Sequence, residues 1–420
     1  MASGIKEKEP AAFGIRAKTA KALADPCKIR ILAAVSVHPL SPSRFVEQNG
    51  GELTHVARCF RQLAEWGYIE IAEERPGRRR GVAIEHVYRV IRRAHFDTCT
   101  WQSIPRSKRD AVSRSILATY QQRIGEALEA GTFDQEPNRH WSWDAVALDH
   151  TAWRELNEQL DDILDSLSEY ELQSANRSIA GSEVQIPATV GLAAFRSPGS
   201  PSMMLKGSRR HHGPADTKEP AAPYPIGAKL AKALSNWWRC KIVAEVSIRP
   251  LSPSQFVEEF GGSMTHVSRC FRELANWGYL ELLEERKGGR RGGGVERVYG
   301  SSRRPYFDTT TWEALPQIVR EEISQYFLET YFERATGAIE AGTLDADTDR
   351  HLSWKPIVID RQAWTQIVGL LDEILAWVPE LERCSLDRTH NIESLIPTTV
   401  GLACFRSPRQ AQISSHPLDP

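Results

Sequence analysis

The sequence lacks most of the features that mark a secreted protein, a membrane protein or a metalloprotein. Its seven cysteines are scattered, with no CxxC pair and no Cys/His cluster at zinc-binding spacing. No apolar run approaches the roughly 20 residues that cross a bilayer, and the first residues contain no apolar segment typical of a secretory signal. These absences predict a cytoplasmic protein without a disulfide framework, a metal site, a cofactor or a membrane partner.

Catalytic motifs are also missing. There is no P-loop, no GxSxG, no HExxH and no GxGxxG between a strand and a helix. The glycine-rich run at 288–294 falls in a predicted hairpin tip, which is not where a nucleotide cradle forms. The acidic pairs Asp161-Asp162 and Asp372-Glu373 lie on the polar side of a predicted helix, where solvation accounts for them. The sequence therefore predicts a protein that is not an enzyme.

The chain has no overall excess of charge, with a net charge of -1, but its charges are segregated. Residues 13–98 carry 15 Lys and Arg against 9 Asp and Glu, and residues 224–308 carry 14 against 9. The segments that follow are acidic, with 9 against 15 in residues 99–198 and 8 against 16 in residues 309–408. Only the two basic segments should be attracted to a phosphate backbone.

The chain contains the same sequence pattern twice. LSPSRFVEQNGG at 40–51 returns as LSPSQFVEEFGG at 251–262, and IPATVGLAAFRSP at 186–198 returns as IPTTVGLACFRSP at 396–408. This period is far longer than that of a solenoid repeat, and it indicates a duplicated two-part protein. The predicted domains are 13–98, 99–198, a flexible linker rich in Gly, Pro and Ser at 199–223, then 224–308 and 309–408.

After a short Ala- and Lys-rich helix at residues 15–23, the first part of each copy predicts three further helices, counted here as the first to the third, followed by a β-hairpin. Asp25-Pro26 and Ser41-Pro42 are N-cap signals with proline in the first turn, and Gly50-Gly51 is a stop signal. In the third helix, apolar residues recur at i, i+3, i+4 and i+7 and should face the core. These residues are Val56, Cys59, Phe60 and Leu63, with Val267, Cys270, Phe271 and Leu274 in the second copy.

The opposite face of the third helix is small, polar and basic, which suits insertion into the DNA major groove. Arg58 and Arg269 are expected to read bases. A metal-ligand role for His55 and His266 is a less favoured alternative to groove contact, and burial of Cys59 and Cys270 is favoured over a redox role. The predicted DNA-contacting residues of this face are Thr54, His55, Arg58, Arg61, Thr265, His266, Arg269 and Arg272.

A Gly- and Arg-rich loop joins the two predicted hairpin strands in each copy. Residues 68–71 and 86–88 alternate like the strands of a hairpin. A cationic loop at a hairpin tip suits contact with phosphates or with a narrow minor groove. The predicted phosphate contacts are Arg78, Arg79 and Arg80 in the first copy and Arg290 and Arg291 in the second.

The first part of each copy resembles the winged helix-turn-helix module of ArsR-type regulators. The resemblance is carried by ALADPCKIRILA (22–33), by THVARCFRQLAEWGYIE (54–70) and by HVYR (86–89), and it covers about 75 residues of each copy. It implies DNA-binding repressors or activators that usually act as two-fold dimers. Metal-sensing members carry a cysteine pair on the helix before the recognition helix, and residues 43–49 contain no cysteine, so metal sensing is not carried over.

The second part of each copy predicts long helices and apolar strands. It resembles the C-terminal region of bacterial, especially actinobacterial, regulators with an ArsR-like head. Long helices with wide apolar stripes need a partner surface, so the two copies are expected to pack together as an intrachain pseudo-dimer. Its aromatic residues are interpreted as core and interface, and an effector pocket is the alternative. The residues of that alternative pocket are Trp101, His140, Trp143, Trp153, Trp312, His351, Trp354 and Trp364.

Together these patterns predict an α+β, mainly α protein that binds double-stranded DNA through two winged helix-turn-helix domains as a nucleoid-associated transcriptional regulator. Two alternatives stay open at this stage. One is a protein–protein scaffold built on winged helices, and the other is a regulator gated by a small-molecule effector. Self-association beyond the pseudo-dimer is also left open.

Overall fold

The computed structural model shows a mixed helix-and-strand protein in which helix predominates. It describes residues 18–75, 84–91, 101–181, 184–201, 224–225, 231, 234–287, 295–301, 305–306 and 309–408. The predicted loop arginines Arg78, Arg79, Arg80, Arg290 and Arg291 lie outside these residues. No helix among the described residues combines the length and the apolar character that a membrane span requires.

The two copies have the same order of main elements. The first copy contains α1 (Pro26–Val37), α2 (Pro42–Asn49), α3 (Leu53–Glu65), β1 (Ile69–Arg75), β2 (Glu85–Val90), α4 (Arg106–Glu129), β3 (His140–Leu148), α5 (His150–Ala180) and β4 (Ile186–Arg196). The second contains α6 (Trp237–Ile248), α7 (Pro253–Phe260), α8 (Met264–Asn276), β5 (Leu280–Lys287), β6 (Val295–Ser301), α9 (Gln317–Glu340), β7 (His351–Ile359), α10 (Arg361–Arg388) and β8 (Ile396–Arg406).

Local signals set the boundaries of the short helices. The side chain of Asp25 accepts hydrogen bonds from the backbone N–H groups of Cys27 and Lys28, and Pro26 occupies the first turn of α1. Ser41 caps α2 in the same way, and Gly50 ends that helix with φ 71°, a conformation that favours glycine. Both helices therefore begin at the predicted residues.

Each three-helix-and-hairpin unit packs around an apolar core, which in the second copy also includes Trp312, Leu315 and Ile323 from the segment that follows. In the first copy, Phe60 on α3 packs edge-on against Phe45 on α2, with ring centroids 5.9 Å apart, and at a tilt against Tyr88 on β2, at 5.2 Å. In the second copy, Phe271 makes the equivalent contacts. The predicted apolar stripe of the third helix is buried in both copies. We call these units head 1 (18–91) and head 2 (234–301).

The second parts of the two copies share one four-stranded antiparallel sheet, in the order β3-β8-β4-β7. Strands of the two copies alternate in it, so each strand pairs only with strands of the other copy. At the centre, Leu192 of β4 lies opposite Leu402 of β8, and these two residues occupy the same place in the IPxTVGLAxF segment of each copy. Exchanging the copies therefore leaves the pairing unchanged.

Helices cover both faces of this sheet. One face packs against α5 and α10, with Trp153 and Trp364 fully buried between them. The other face packs against α4 and α9, where Tyr120 and Tyr331 are buried. The result is a three-layer body, defined as residues 101–201 and 309–408, in which most of the core is made jointly by the two copies.

Ion pairs also join the copies at the ends of the long helices. Asp360, the N-cap of α10, accepts hydrogen bonds from Nε and Nη2 of Arg177 near the end of α5, at 2.6 and 2.9 Å. Asp149, the N-cap of α5, receives the same two contacts from Arg388 near the end of α10, at 2.6 and 2.9 Å. Because both carboxylate oxygens accept hydrogen bonds from one guanidinium group, each pair holds the start of one long helix against the end of the long helix of the other copy.

Candidate nucleic-acid interface

The predicted groove-contacting face of α3 lies on the surface of head 1. Thr54, Arg58 and Arg61 are exposed, and His55 is half-buried. Nη2 of Arg58 is 3.0 Å from Nδ1 of His55, and no carboxylate of the described residues forms an ion pair with Arg58. Because the apolar stripe anchors the other side of α3, this face presents an uncompensated guanidinium to solvent.

Head 2 presents the equivalent residues on α8. Thr265, Arg269 and Arg272 are exposed, and Nη2 of Arg269 is 3.1 Å from Nδ1 of His266. Nε of Arg269 is also 3.9 Å from Oε1 of Glu273, a weak ion pair. The structure therefore brings the predicted residues of each head onto one helix face, and the charge of Arg269 is partly balanced where that of Arg58 is not.

The N-termini of the two helices differ in their capping. In α3 the carboxylate of Glu52 accepts hydrogen bonds from the N–H groups of Thr54 and His55, both at 3.1 Å. A hydrogen bond from the Thr54 side chain, together with these two backbone hydrogen bonds, lowers the pKa of Glu52. In α8 the N-cap is Ser263, whose side chain makes no capping hydrogen bond. The open N–H groups of α8 are therefore the better anion acceptors.

The hairpin strands carry acidic residues that form ion pairs with arginines of the same hairpin. In head 1, Arg75 pairs with Glu73 at 2.6 Å and Arg89 pairs with Glu70 at 2.6 Å. In head 2, Arg297 pairs with Glu285 at 3.0 Å. The described strands carry a net charge of -2 in head 1 and -1 in head 2, so they add no positive charge to that of the third helix.

Three ligand-type side chains meet behind the α3 face, and the sequence analysis did not anticipate this. The donor atoms of Cys27, His55 and Cys59 all lie within 4.8 Å of one another. Burial, together with the adjacent Cys59, raises the pKa of the Cys27 thiol to about 12. No local sequence pattern predicts this cluster, because Cys27 and Cys59 are 32 positions apart in the sequence. Only the packing of α1 against α3 brings them together.

The residues of the alternative effector pocket do not line one cavity. Trp153 and Trp364 are core residues on the α5/α10 side of the sheet, and Nε1 of Trp153 donates to Asp349 at 2.9 Å. Trp143 and Trp354 pack on the opposite side, where Trp354 stacks on Tyr120. The sheet separates these two groups.

The remaining pocket candidates pair with residues of the other copy. The guanidinium of Arg350 lies 4.6 Å from the ring centroid of Trp101, and that of Arg139 lies 4.4 Å from Trp312. One surface cleft of the body has none of the predicted effector-pocket residues in its lining. It is lined by Gln121, Glu329, Phe332, Glu333, Thr336, Gly337 and Glu340.

His140 and His351 form a hydrogen-bonded chain between the copies. Nδ1 of His140 is 2.8 Å from Asp372 and its Nε2 is 2.7 Å from Ser142. His351 makes the same contacts with Asp161 and Ser353, at 2.7 and 2.6 Å. The order Asp–His–Ser is that of a hydrolase triad, but each histidine is buried where helix meets sheet. These chains join α5 and α10 to the sheet. The sequence predicted that solvation alone accounts for Asp161 and Asp372, but each carboxylate also contacts a buried histidine of the other copy.

Comparisons with known proteins give no family assignment. No protein-family model matches the chain, and no curated protein or solved structure matches it. The functional argument therefore depends on the geometry and charges described above.

Proposed function

We propose that the protein is a double-stranded DNA-binding transcriptional regulator in which one chain supplies two winged helix-turn-helix heads. The observation that carries the proposal is the exposed guanidinium face of the third helix, which recurs in head 1 with Arg58 and in head 2 with Arg269. In each head that helix follows a short helix and a glycine turn and is followed by a hairpin. Helix-turn-helix proteins place the corresponding helix in the major groove.

The shared sheet supports the use of both heads on one site. Two-fold dimers bind inverted repeats because identical heads face the two half-sites. Here the strand pairing is unchanged when the copies are exchanged, so the body resembles a dimer whose subunits are joined in one chain, an intrachain pseudo-dimer. The heads are similar but unequal, and we expect the target to be an imperfect inverted repeat.

The charge distribution supports an orientation of the molecule on DNA. Residues 13–98 and 224–308, which include the heads, are basic, whereas residues 99–198 and 309–408, which include the body, are acidic. A polyanion attracts the first and repels the second. The heads would therefore face the duplex and the body would point away from it.

The test is selection of bound duplexes from a random library with the full chain, followed by anisotropy titrations on the selected site. We expect Arg58→Ala to cost about 1–3 kcal/mol, or roughly 5- to 150-fold in affinity, and to relax one position of the site. Arg154→Ala is the matched control, because it removes one exposed cation from α5, in the acidic body. We expect the control to leave the affinity within about two-fold, as for a charge outside the interface.

The loop arginines should behave differently from Arg58. Replacing Arg78, Arg79 and Arg80 with alanine should weaken binding to every duplex alike and reduce the slope of log K against log salt by about 0.9 for each phosphate that is no longer neutralised. The proposal would be overturned in favour of a protein-binding scaffold if the DNA affinity did not depend on salt. The same would follow if Arg58→Ala and Arg154→Ala changed the DNA affinity equally.

A further inference from the structure

The Cys27–His55–Cys59 cluster has the composition and almost the dimensions of a metal site. Sγ of Cys59 is 3.7 Å from Nε2 of His55, and all three donor atoms lie within 4.8 Å of one another. Tetrahedral coordination with Zn–S of about 2.3 Å and Zn–N of about 2.0 Å places donors about 3.5–3.8 Å apart. A contraction of roughly 1 Å would therefore close the cluster around an ion.

Two helices that are fixed by other contacts hold the three donors in place. His55 and Cys59 lie one turn apart on α3, which Phe60 anchors in the core of head 1. Cys27 is in the first turn of α1, and its backbone N–H donates to Asp25 at 3.0 Å. The donors thus come from two helices that already pack together, so binding would require little ordering of the chain.

Head 2 lacks one of the three donors. Trp238 stands where head 1 has Cys27, and its ring centroid is 6.3 Å from that of His266. His266 and Cys270 keep their spacing, with Sγ and Nε2 3.6 Å apart. The tryptophan ring occupies the third position, and Gly262 makes room for it, since a Cβ there would lie 2.5 Å from the ring.

We propose that Cys27, His55 and Cys59 bind a thiophilic metal ion of the Zn²⁺ type, in head 1 only, with the fourth position left to water. Two sulfur donors and one imidazole favour such an ion over Mg²⁺ or Ca²⁺, which prefer oxygen ligands. Three protein ligands with one open position is also an arrangement that Zn²⁺ adopts.

Metal binding would change what His55 offers to Arg58. The guanidinium of Arg58 only donates hydrogen bonds, so Nδ1 of His55 accepts from it and the ring proton of neutral His55 is on Nε2. When Nε2 binds the ion, the proton of the neutral ring is on Nδ1, which becomes a donor. The hydrogen bond between His55 and Arg58 then breaks, and Arg58 is released. This coupling rests on the proposed function, because it places the metal next to the predicted base-reading residue.

The metal site is tested with Co²⁺ as a spectroscopic probe, on the full chain after chelator treatment and with a non-thiol reductant. We expect one equivalent of Co²⁺ to give thiolate-to-cobalt charge-transfer absorption and intense tetrahedral bands, which one equivalent of Zn²⁺ removes. Cys27→Ala should lower the affinity by more than the roughly 10- to 100-fold that loss of an outer-shell partner costs. Cys270→Ala, in head 2, is the matched control and should leave the titration unchanged.

A second variant tests the role of the residue that distinguishes the heads. Trp238→Cys restores the third donor in head 2 and should raise the stoichiometry from one to two equivalents. Absence of thiolate-to-cobalt absorption in the wild-type protein, or the same absorption in Cys27→Ala with circular dichroism unchanged, overturns the site. A stoichiometry that stays at one in Trp238→Cys overturns the role given to Cys27.

The coupling to DNA is tested separately from the site. With Zn²⁺ bound, we expect DNA affinity to rise roughly 2- to 10-fold, the value of one released hydrogen bond, and Cys27→Ala should abolish this response. Arg58→Ala should bind Zn²⁺ with unchanged stoichiometry but show no response of DNA affinity. DNA affinity that is the same with and without bound Zn²⁺ overturns the coupling, whereas a chain that binds Zn²⁺ but no DNA contradicts the proposed function and leaves the metal site standing.

Discussion

The heads and the body of this protein differ in how their two copies depend on each other. In the body, the residues at the centre of the sheet recur in both copies, as Gly191 and Gly401 do against the rings of Tyr120 and Tyr331. In the heads, the third helices also recur, but single positions behind them differ, such as Cys27 and Trp238. The heads also differ in their contact with the body. The main core of head 1 consists of head residues, whereas the core of head 2 includes Trp312, Leu315 and Ile323 of the body.

In the body, each copy completes the other. Every strand of the four-stranded sheet pairs with strands of the other copy, and the buried side chains of both copies form common clusters. A substitution in one copy must therefore fit a partner in the other. Duplication in one chain therefore keeps in the body the partner constraints of a dimer.

The largest expected effect is at the central glycines. A Cβ on Gly191 would lie 2.1 Å from Oη of Tyr120, and a Cβ on Gly401 would lie 2.6 Å from Cε2 of Tyr331. Because both tyrosines are buried, either Gly→Ala change should destabilise the body by about 3 kcal/mol, the upper range for overpacking. Hydrogen exchange of the β4 and β8 amides measures this local free energy.

A second substitution distinguishes the two glycines. Tyr120→Phe removes the atom nearest to a Cβ at 191, so it should partly rescue Gly191→Ala. Tyr331→Phe should rescue Gly401→Ala less, because ring carbon is the nearest atom there. Equal rescue at both sites would contradict the contact geometry and make the two copies equivalent at the centre of the sheet.

A smaller effect is expected at the ion pairs that join the helix ends. The hydrogen bonds from Arg177 hold the pKa of Asp360 at about 2, below its ordinary value of 3.8. A lowered folded-state pKa means that the pair stabilises the fold above about pH 4 and that this stability is lost as the pH falls toward 2. Asp360→Asn keeps Oδ1 as the acceptor for the α10 N-terminus but removes the charge and the second acceptor oxygen for Arg177, at a cost of about 2 kcal/mol.

The comparison with Asp149 sharpens this prediction. Asp149 has the same partner geometry, but its side chain is 15% exposed where that of Asp360 is 0% exposed, and the pKa of Asp149 is also lowered by its arginine. We expect Asp149→Asn to cost about half as much, because water screens the more exposed pair. Acid unfolding followed by circular dichroism is the measurement, and a wild-type-like acid transition in Asp360→Asn would refute the role of this pair.

The sequence predicted the local structure well. It predicted that the two copies pack together but not how their strands interleave in one sheet. The N-cap and proline signals at Asp25 and Ser41 fixed helix starts to the residue, since these interactions lie within one turn of chain. The apolar run of IPATVGLAAF identified β4 and β8 as apolar strands, but such a run does not say which strand lies beside it. The interleaved order and the approach of Cys27 to His55 depend on packing between segments far apart in the chain, which no local pattern records.

The smallest effect is expected at the N-termini of the third helices, where the heads differ in capping. Ser263→Glu places in head 2 the carboxylate that Glu52 supplies in head 1, where it accepts from two backbone N–H groups. We expect amides in the first turn of α8 to exchange roughly 3- to 10-fold more slowly, and those of α3 to exchange faster by a similar factor in Glu52→Ala.

The same two substitutions should have the opposite effect on DNA binding, because a carboxylate at a helix N-terminus competes with phosphate for those N–H groups. Glu52→Ala should therefore tighten binding at the head 1 half-site while loosening its helix. Loss of both stability and affinity in Glu52→Ala would mean that α3 does not approach the duplex by its N-terminus.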